Sequence, residues 1–530
     1  MDEAKIITPL PDSTLIVDVD TKTYPEVRSF LIKFAVLEKS PPHLHTYRIN
    51  PPSLWSAAAS GLDTKRITEF LKEHSRIDVP EEILDLVERE VGKYGLMRLV
   101  KRDGKIFVES SDTELLRSLE LQSVTPELEV MDRGAVKLEL LCRGYPVEDL
   151  CGFDEGERYD ISLKAIIRDY QRDAINSFTG DGVVVLPCGA GKTIVGIGII
   201  ARLKTSTLII CPNQVSVNQW TNELLDKTDC RAEDIGEYTA AKKEIKPITI
   251  TTYQMLTFRR DCEMVHLELF NKRNWGLIIY DEVHLLPAEV FKHTANLQAK
   301  RRLGLTATFV REDGREKEVF TLIGPKRYEA PWKEIEEKGW IAGVECYEIR
   351  VPMDKELFRE YVKAPKKEKY TISSKNPAKY EIVREIVESR RGHKILIIGQ
   401  YIEQLEHVSR MLEAPLITGR TPNEKRLELY NAFRRGKIDL LVVSKVANFA
   451  IDLPDANVAV QLSGTFGSRQ EEAQRLGRIL RPKNGKAEFF SIITKGTRDQ
   501  EINAKRQLFL TEQGYVYHVV NGVMDCQKRA

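Results

Sequence analysis

The eight cysteines of this chain (Cys142, Cys151, Cys188, Cys211, Cys230, Cys262, Cys346 and Cys526) are scattered, and no two form a C-x-x-C pair. That spacing argues against a zinc ribbon or a clustered iron–sulfur site and fits reduced thiols in a cytosol. Long apolar runs are missing too. Nothing approaches the length needed to cross a bilayer, and the opening MDEAKIITPLPD has no charged-then-apolar leader pattern, so the expected place is the cytoplasm (the nucleoid in a prokaryote), with no membrane partner. Net charge is nearly absent: 80 Lys and Arg against 79 Asp and Glu give +1. A basic surface for nucleic acid must therefore be local. Short internal repeats and low-complexity tails are also lacking. What remains is 530 residues, 42% hydrophobic and 30% charged, enough for roughly three or four domains with real cores.

Residues 1–110 read as an α+β block. STLIVDVD has a strand pattern and YPEVRSFLIKFAVLE that of an amphipathic helix. LWSAAASG, DTKRITEFLKEHS and PEEILDLVEREVGKYG predict three helices, each opening near a Ser, Asp or Pro. LMRLVKRDGKIFVES then predicts a hairpin turning at Asp103-Gly104. Three helices and a hairpin is the order of a winged-helix unit, which reads DNA or docks a protein. Residues 111–163 are less periodic and end in the acidic FDEGERYD. From Ile167 onward strands and helices alternate. VVVLP, TLIICP, ITITTY and GLIIYDEVH make one set of strands; KILIIGQ, DLLVVSK, NVAVQLSG and AEFFSIIT make a second. Such near-continuous apolar strands, separated by helices, predict an α/β chain with two parallel sheets. The expected domains are 1–110, 111–163, a first sheet domain at 164–335, a connector with a basic segment at 336–380, and a second sheet domain at 381–530.

The chemistry concentrates in GVVVLPCGAGKTIVGIGII, where an apolar strand runs into GAGKT and a helix starts at once. Backbone N–H groups of Gly189, Ala190 and Gly191 and a helix N-terminus form a cradle for phosphate oxygens. Lys192 would reach the β- and γ-phosphates and Thr193 would hold Mg²⁺. The full pattern asks for Gly at position 186, where this chain has Leu186. Downstream, WGLIIYDEVHLLP delivers Asp281 and Glu282 to the carboxyl end of a strand, where open α/β sheets place their ligands. Asp281 would hold Mg²⁺ and Glu282 would take a proton from the attacking water. A carboxylate pair there could merely cap a helix, but two halves of one nucleotide site in the right order favour hydrolysis of a nucleoside triphosphate, ATP.

Other pieces surround this pair. In RDYQ, Arg168 and Gln171 precede the loop, and the Gln171 amide could pair with an adenine edge. LTAT (Leu305–Thr308) follows the DEVH strand. SRQEEAQRLGRILRP carries Gln474, Arg475, Arg478 and Arg481; the last two, three residues apart, share a helical face. On its own that pattern is a solvated surface. Facing a bound nucleotide, it would supply an arginine finger. In residues 355–379 eight Lys or Arg stand against three Glu, interleaved with Phe358, Tyr361 and Tyr370. Phe358, Arg359, Tyr361, Lys363, Lys366, Lys367 and Lys369 are the candidates for backbone contact and base stacking with DNA; the plain alternative is a charged, solvated helix and loop.

The ordered set RDYQ, GAGKT, DEVH, TAT and QRLGRILR is similar to the second helicase superfamily from about Ile167 onward. LPCGAGKT, REDGRE after TAT, IDLPDANV and RLGRILR together resemble the XPB family of DNA repair helicases. HTYRINPPSLWSAAASGL and YGLMRLVKRDGKIFVES resemble the amino-terminal domain of its longer members, so the resemblance spans nearly the whole chain. It implies two RecA-like motor domains, ATP-driven 3′→5′ action on duplex, forked or damaged DNA, and work in nucleotide excision repair or promoter opening. A nuclease or another repair or transcription protein would be its partner. It also implies a small damage-recognition domain near 111–163 and a thumb-like insertion near the second motor domain. His284, Thr306, Ala307 and Thr308 would couple nucleotide state to motion, with Asp452 on the nucleotide side. Arg311, Glu312 and Asp313 match a RED motif associated with unwinding, although Asp313-Gly314 alone reads as a solvated turn. The chain departs from the family at Ala447-Asn448-Phe449-Ala450, where familiar eukaryotic members show Gly-Asp-Thr-Ser. Two other readings stay open on the residues: an RNA helicase or restriction-type translocase on the same motor, and a non-catalytic repair scaffold.

Overall fold

The structure is a computed structural model, which describes residues 5–39, 43–187, 189–260, 263–286, 297–307, 316–330, 332–340, 342–444, 456–464, 487–512 and 515–520. The chain divides into two compact units, residues 1–186 with 191–330, and residues 331–530 with the loop residues 187–190.

The first unit opens with an antiparallel sheet in the order Ile7–Pro9, Thr14–Asp18, Leu44–Arg48, Val36–Lys39. The helix expected over 24–38 is shorter than its apolar pattern suggests. It runs Tyr24–Leu31, and Val36–Lys39 is an edge strand with Leu37 opposite Tyr47. Phe34, Ala35 and Leu37 are all buried, so sheet pairing and burial override the helical spacing. Three helices follow at Pro51–Ala59, Thr64–His74 and Glu81–Lys93. Asn50 caps the first through a reciprocal exchange with Ser53, and Asp63 caps the second. The hairpin Met97–Arg102/Lys105–Ser110 turns on Asp103 (φ 49°) and Gly104 (φ 80°), the left-handed pair that a tight hairpin asks for. Val147–Asp149 adds a parallel third strand, and Met97, Leu99 and Val108 share one core with Leu116, Val136 and Leu140.

This region is fastened to the first large sheet domain by apolar and ionic contacts. Trp55 and Leu141 pack with Phe320, and the Ser60 hydroxyl donates to Lys326 O at 2.9 Å. Buried Asp149 accepts from Arg133 at 2.7 Å and from Lys137 at 3.2 Å, and Lys137 donates onward to Gln298 at 2.8 Å. Burial alone would raise the Asp149 pKa; Lys137 and Arg133 outweigh it and hold the carboxyl well below the usual range. The Phe153 ring lies 5.7 Å from each of the Arg133 and Arg302 guanidinium carbons.

Each unit contains a seven-stranded, wholly parallel sheet. The first has the order Ile235–Tyr238, Ile248–Thr252, Thr207–Cys211, Leu277–Asp281, Arg301–Thr306, Asp181–Val185, Lys326–Glu329. The second has the order Leu416–Ile417, Leu440–Ser444, Ile395–Gly399, Val458–Gln461, Ala487–Thr494, Val344–Val351, Tyr517–Val520. All eight apolar runs expected to be strands are strands, and both domains are RecA-like. The strand Val344–Val351, from the stretch read as connector, pairs along its whole length with Ala487–Thr494. No helix among the described residues is long and apolar enough to cross a membrane.

Candidate nucleotide site and DNA-contacting segment

Three strands of the first sheet end side by side. Asp181–Val185 leads into the glycine-rich loop, its neighbour Arg301–Thr306 ends in the TAT segment, and the next, Leu277–Asp281, ends in DEVH. Asp281 sits opposite Leu305, and Thr306 opposite Val185, so the register levels the three ends. Leu186, where the full loop pattern has Gly, is fully buried and its N–H donates to Thr306 O at 3.0 Å. It prolongs the ladder outside the left-handed region, and no glycine is needed. Glycine is needed later in the loop, where Gly189 (φ 81°) and Gly191 (φ 82°) are left-handed. Gly191 is also the N-cap of the helix Lys192–Leu203, so its turn aims the helix's first N–H groups and positive end out of the sheet. Ala190 is buried, and Lys192 and Thr193 lie in the first turn.

Of the residues read as catalytic, Lys192, Asp281 and Glu282 come together here. Lys192 Nζ lies 3.3 Å from Glu282 Oε1, with both side chains mostly buried. His284 Nδ1 is 3.5 Å from Glu282 Oε2 and 2.8 Å from Thr306 Oγ1. DEVH and TAT are thus one bonded unit. Glu282 itself is left-handed (φ 48°, ψ 57°), an uncommon place for a residue with a Cβ. Backbone held that way typically costs about 1 kcal/mol or more and persists where the surroundings impose it.

Burial first, then the charge of Glu282, raises the Asp281 carboxyl above its ordinary value, against the opposing pull of the Trp220 N–H and Lys192. Burial acts the same way on Glu282, but Lys192 and His284 outweigh it and the net displacement is downward. Adjacent carboxylates of which one binds its proton too tightly are a donor set that a divalent cation would relieve, and so the residues fit Mg²⁺. Gln171 is buried and uses its Oε1 to accept the N–H of Arg168 at 3.0 Å, closing the N-terminus of the helix Asp169–Ser177. Its Nε2 faces the phosphate loop: a Cβ added to Gly191 would meet it at 2.5 Å. Trp220, which sequence reading passed over, is buried and donates to Asp281 Oδ2 at 3.0 Å, while Tyr253 OH donates to Asp281 O at 2.9 Å. Nothing in NQWTNELL announces that role, because a tryptophan on an amphipathic helix reads as core.

In the second unit, the basic segment forms two helices, Lys355–Lys363 and Lys366–Ser374. The first buries none of its side chains; Phe358 is 49% and Val362 55% exposed. The Phe358 and Tyr361 rings stack at 6.4 Å, and Lys369 Nζ sits 5.2 Å above Tyr361. Arg359, Lys363, Lys366 and Lys367 are exposed. Two residues counted in the basic run face inward instead. Tyr370 is buried and its hydroxyl donates to Gly464 O, and Lys379 is fully buried against Asp499 at 2.7 Å. Thr308, Arg311, Glu312, Asp313, the 447–450 departure, Asp452, Gln474, Arg475, Arg478 and Arg481 lie outside the described residues.

Three family models match the chain. The model described as "ERCC3/RAD25/XPB C-terminal helicase" covers residues 335–530 and "Type III restriction enzyme, res subunit" covers 164–311. "Helicase conserved C-terminal domain" falls on 7–133, over the N-terminal sheet, helices and hairpin. Among curated proteins, "DNA 3'-5' helicase XPB" of Kineococcus radiotolerans is 48% identical, over 96% of this chain and 95% of its own length. The protein of the same name from Mycobacterium tuberculosis is 49% identical over 96% of both chains. The chain belongs to the XPB helicase family. The family extends to eukaryotes: "General transcription and DNA repair factor IIH helicase/translocase subunit XPB" of Enterocytozoon bieneusi is 34% identical over 97% of this chain and 92% of its own. Members this alike along their whole length make this XPB-family chain a helicase enzyme whose motor is the pair of RecA-like sheets.

Proposed function

We propose that this XPB-family DNA helicase draws its 3′→5′ movement from ATP·Mg²⁺ hydrolysed where the first sheet's three strand ends meet. The observation that carries this reading is the convergence of Lys192, Glu282, His284 and Thr306 within 3.5 Å contacts at the mouth of a glycine loop. The loop N–H groups and Lys192 bind the triphosphate, and Thr193 and Asp281 would hold Mg²⁺, which screens phosphate charge when bound. Glu282, kept ionised by Lys192 and His284, accepts a proton from the attacking water. His284 passes the state of Glu282 to Thr306, and through it toward Thr308 and the RED segment, for which we propose strand separation. Arg478 and Arg481 enter as transition-state cations, and Gln474 and Asp452 as nucleotide contacts, on sequence order alone. The names of the relatives carry DNA repair and transcription; within these we propose nucleotide excision repair foremost, and DNA opening linked to transcription.

The face that carries exposed Phe358 and the lysines, with half-buried Tyr361 between them, is the proposed DNA contact. Duplex DNA is expected to stimulate ATP turnover more than duplex RNA does. Phe358→Ala combined with Lys366→Ala and Lys367→Ala is expected to raise the DNA concentration for half-maximal stimulation about tenfold or more, with DNA-free turnover unchanged. ATPase titrations with both duplexes check this. Preference for RNA would favour an RNA helicase, and an unshifted titration would remove the segment from the DNA path.

A further inference from the structure

Asp281 ends a buried strand, and its carboxylate is held by a group outside DEVH, TAT and the loop. The indole N–H of Trp220 donates to Asp281 Oδ2 at 3.0 Å from the helix Gln214–Lys227. The ring cannot swing away easily. Trp220 is 1% exposed, and its six-membered edge lies on the backbone of Gly196 in the helix Lys192–Leu203. A Cβ placed on Gly196 would come 2.5 Å from the ring and 3.2 Å from Leu305. One indole therefore touches both the helix that carries Lys192 and Thr193 and the acid two strands away in the sheet. Meanwhile Tyr253 OH fixes the Asp281 main-chain oxygen at 2.9 Å. With one carboxylate oxygen tied to a neutral donor, the acid can turn only within narrow limits.

We infer that Trp220 is a positioning residue for the divalent cation: it presents the Asp281 carboxylate at a fixed angle and distance from the phosphate-binding helix. The inference rests on the assignment of Asp281 as the cation's protein ligand. Cation affinity depends on such outer partners, whose loss typically weakens binding by about 10- to 100-fold. The structure already contains the surface that selects glycine at 196, since an alanine there would push the ring off its hydrogen bond.

Trp220→Phe keeps an aromatic body in the slot and removes the donor together with part of the ring's packing on Gly196. Affinity for a fluorescent non-hydrolysable ATP analogue is measured by anisotropy, first in EDTA and then across a Mg²⁺ titration. In EDTA the variant is expected to match the unaltered protein, because the loop and Lys192 are untouched. The Mg²⁺ concentration that gives half the tightening is expected to rise about tenfold. Maximal turnover at saturating Mg²⁺ should fall much less than turnover at limiting Mg²⁺. Gly196→Ala, which retains the indole but displaces it, should shift the same titration in the same direction and serves if Trp220→Phe lowers the melting temperature. Asp281→Asn is run beside them. If it shifts the Mg²⁺ titration and neither of the other variants does, the inference is overturned while the site stands. If Asp281→Asn itself leaves the titration unshifted, the assignment of Asp281 falls and the inference with it.

Discussion

Replacing Lys192 by alanine is expected to abolish ATP turnover, with a loss of about a thousandfold or more, while leaving the circular dichroism spectrum unchanged. The lysine occupies the first turn of the helix Lys192–Leu203 and reaches back to within 3.3 Å of Glu282 Oε1. Before nucleotide arrives, its charge therefore holds Glu282 in its ionised form; with nucleotide present, the same ammonium is placed to neutralise phosphate charge growing in the transition state. Preorganised charge of this kind is usually the largest single contribution to catalysis, and one neutral donor alone is worth roughly 10²–10³. The fold does not depend on it. Alanine is a good helix former, Gly191 still caps the helix, and Ile197, Ile199 and Ile200 keep its buried face. Steady-state ATPase with and without duplex DNA checks the prediction, and undiminished turnover would remove the site.

The second large effect is expected from Glu282→Gln. The change keeps the volume and leaves Lys192 and His284 in place, but it removes the carboxylate that takes the water's proton. Hydrolysis should fall about 10²–10⁴-fold, while affinity for ATP stays within about threefold. Because His284 bridges Glu282 and Thr306, the variant should also hold its nucleotide-bound form long enough to be trapped on DNA. Single-turnover hydrolysis and nucleotide binding, measured on the same preparation, separate the two effects. If affinity and hydrolysis fell together, Glu282 would be a binding residue and not the base.

Much of the motor was legible because buried parallel strands spell themselves. VVVLP, TLIICP and GLIIYDEVH cannot be solvated, and GAGKT and DEVH follow strands of that kind. The departure at Leu186 was legible as a departure but not as harmless, since harmlessness rests on its ladder bond to Thr306. Trp220 was hidden because its partner lies far along the chain and meets it only through sheet order. Tyr370 was hidden differently. Ala364 and Pro365 separate it from Phe358 and Tyr361, and that break between two helices resets which face a residue occupies. Charge counting missed Lys379 for a related reason: local composition cannot show that Asp499 waits for it in the core. The helix expected over 24–38 shows the converse, a pattern readable both ways until Tyr47 supplies a strand partner.

Strand displacement is the direct measure of ATP-powered, polar strand separation driven from the Lys192–Glu282 site. Duplexes tailed at the 3′ or the 5′ end are incubated with ATP and Mg²⁺ beside the Lys192→Ala protein. The expected result is displacement of the 3′-tailed duplex only, dependent on ATP and absent from the variant. Equal or faster displacement of the 5′-tailed duplex, or displacement by the Lys192→Ala protein, would contradict it.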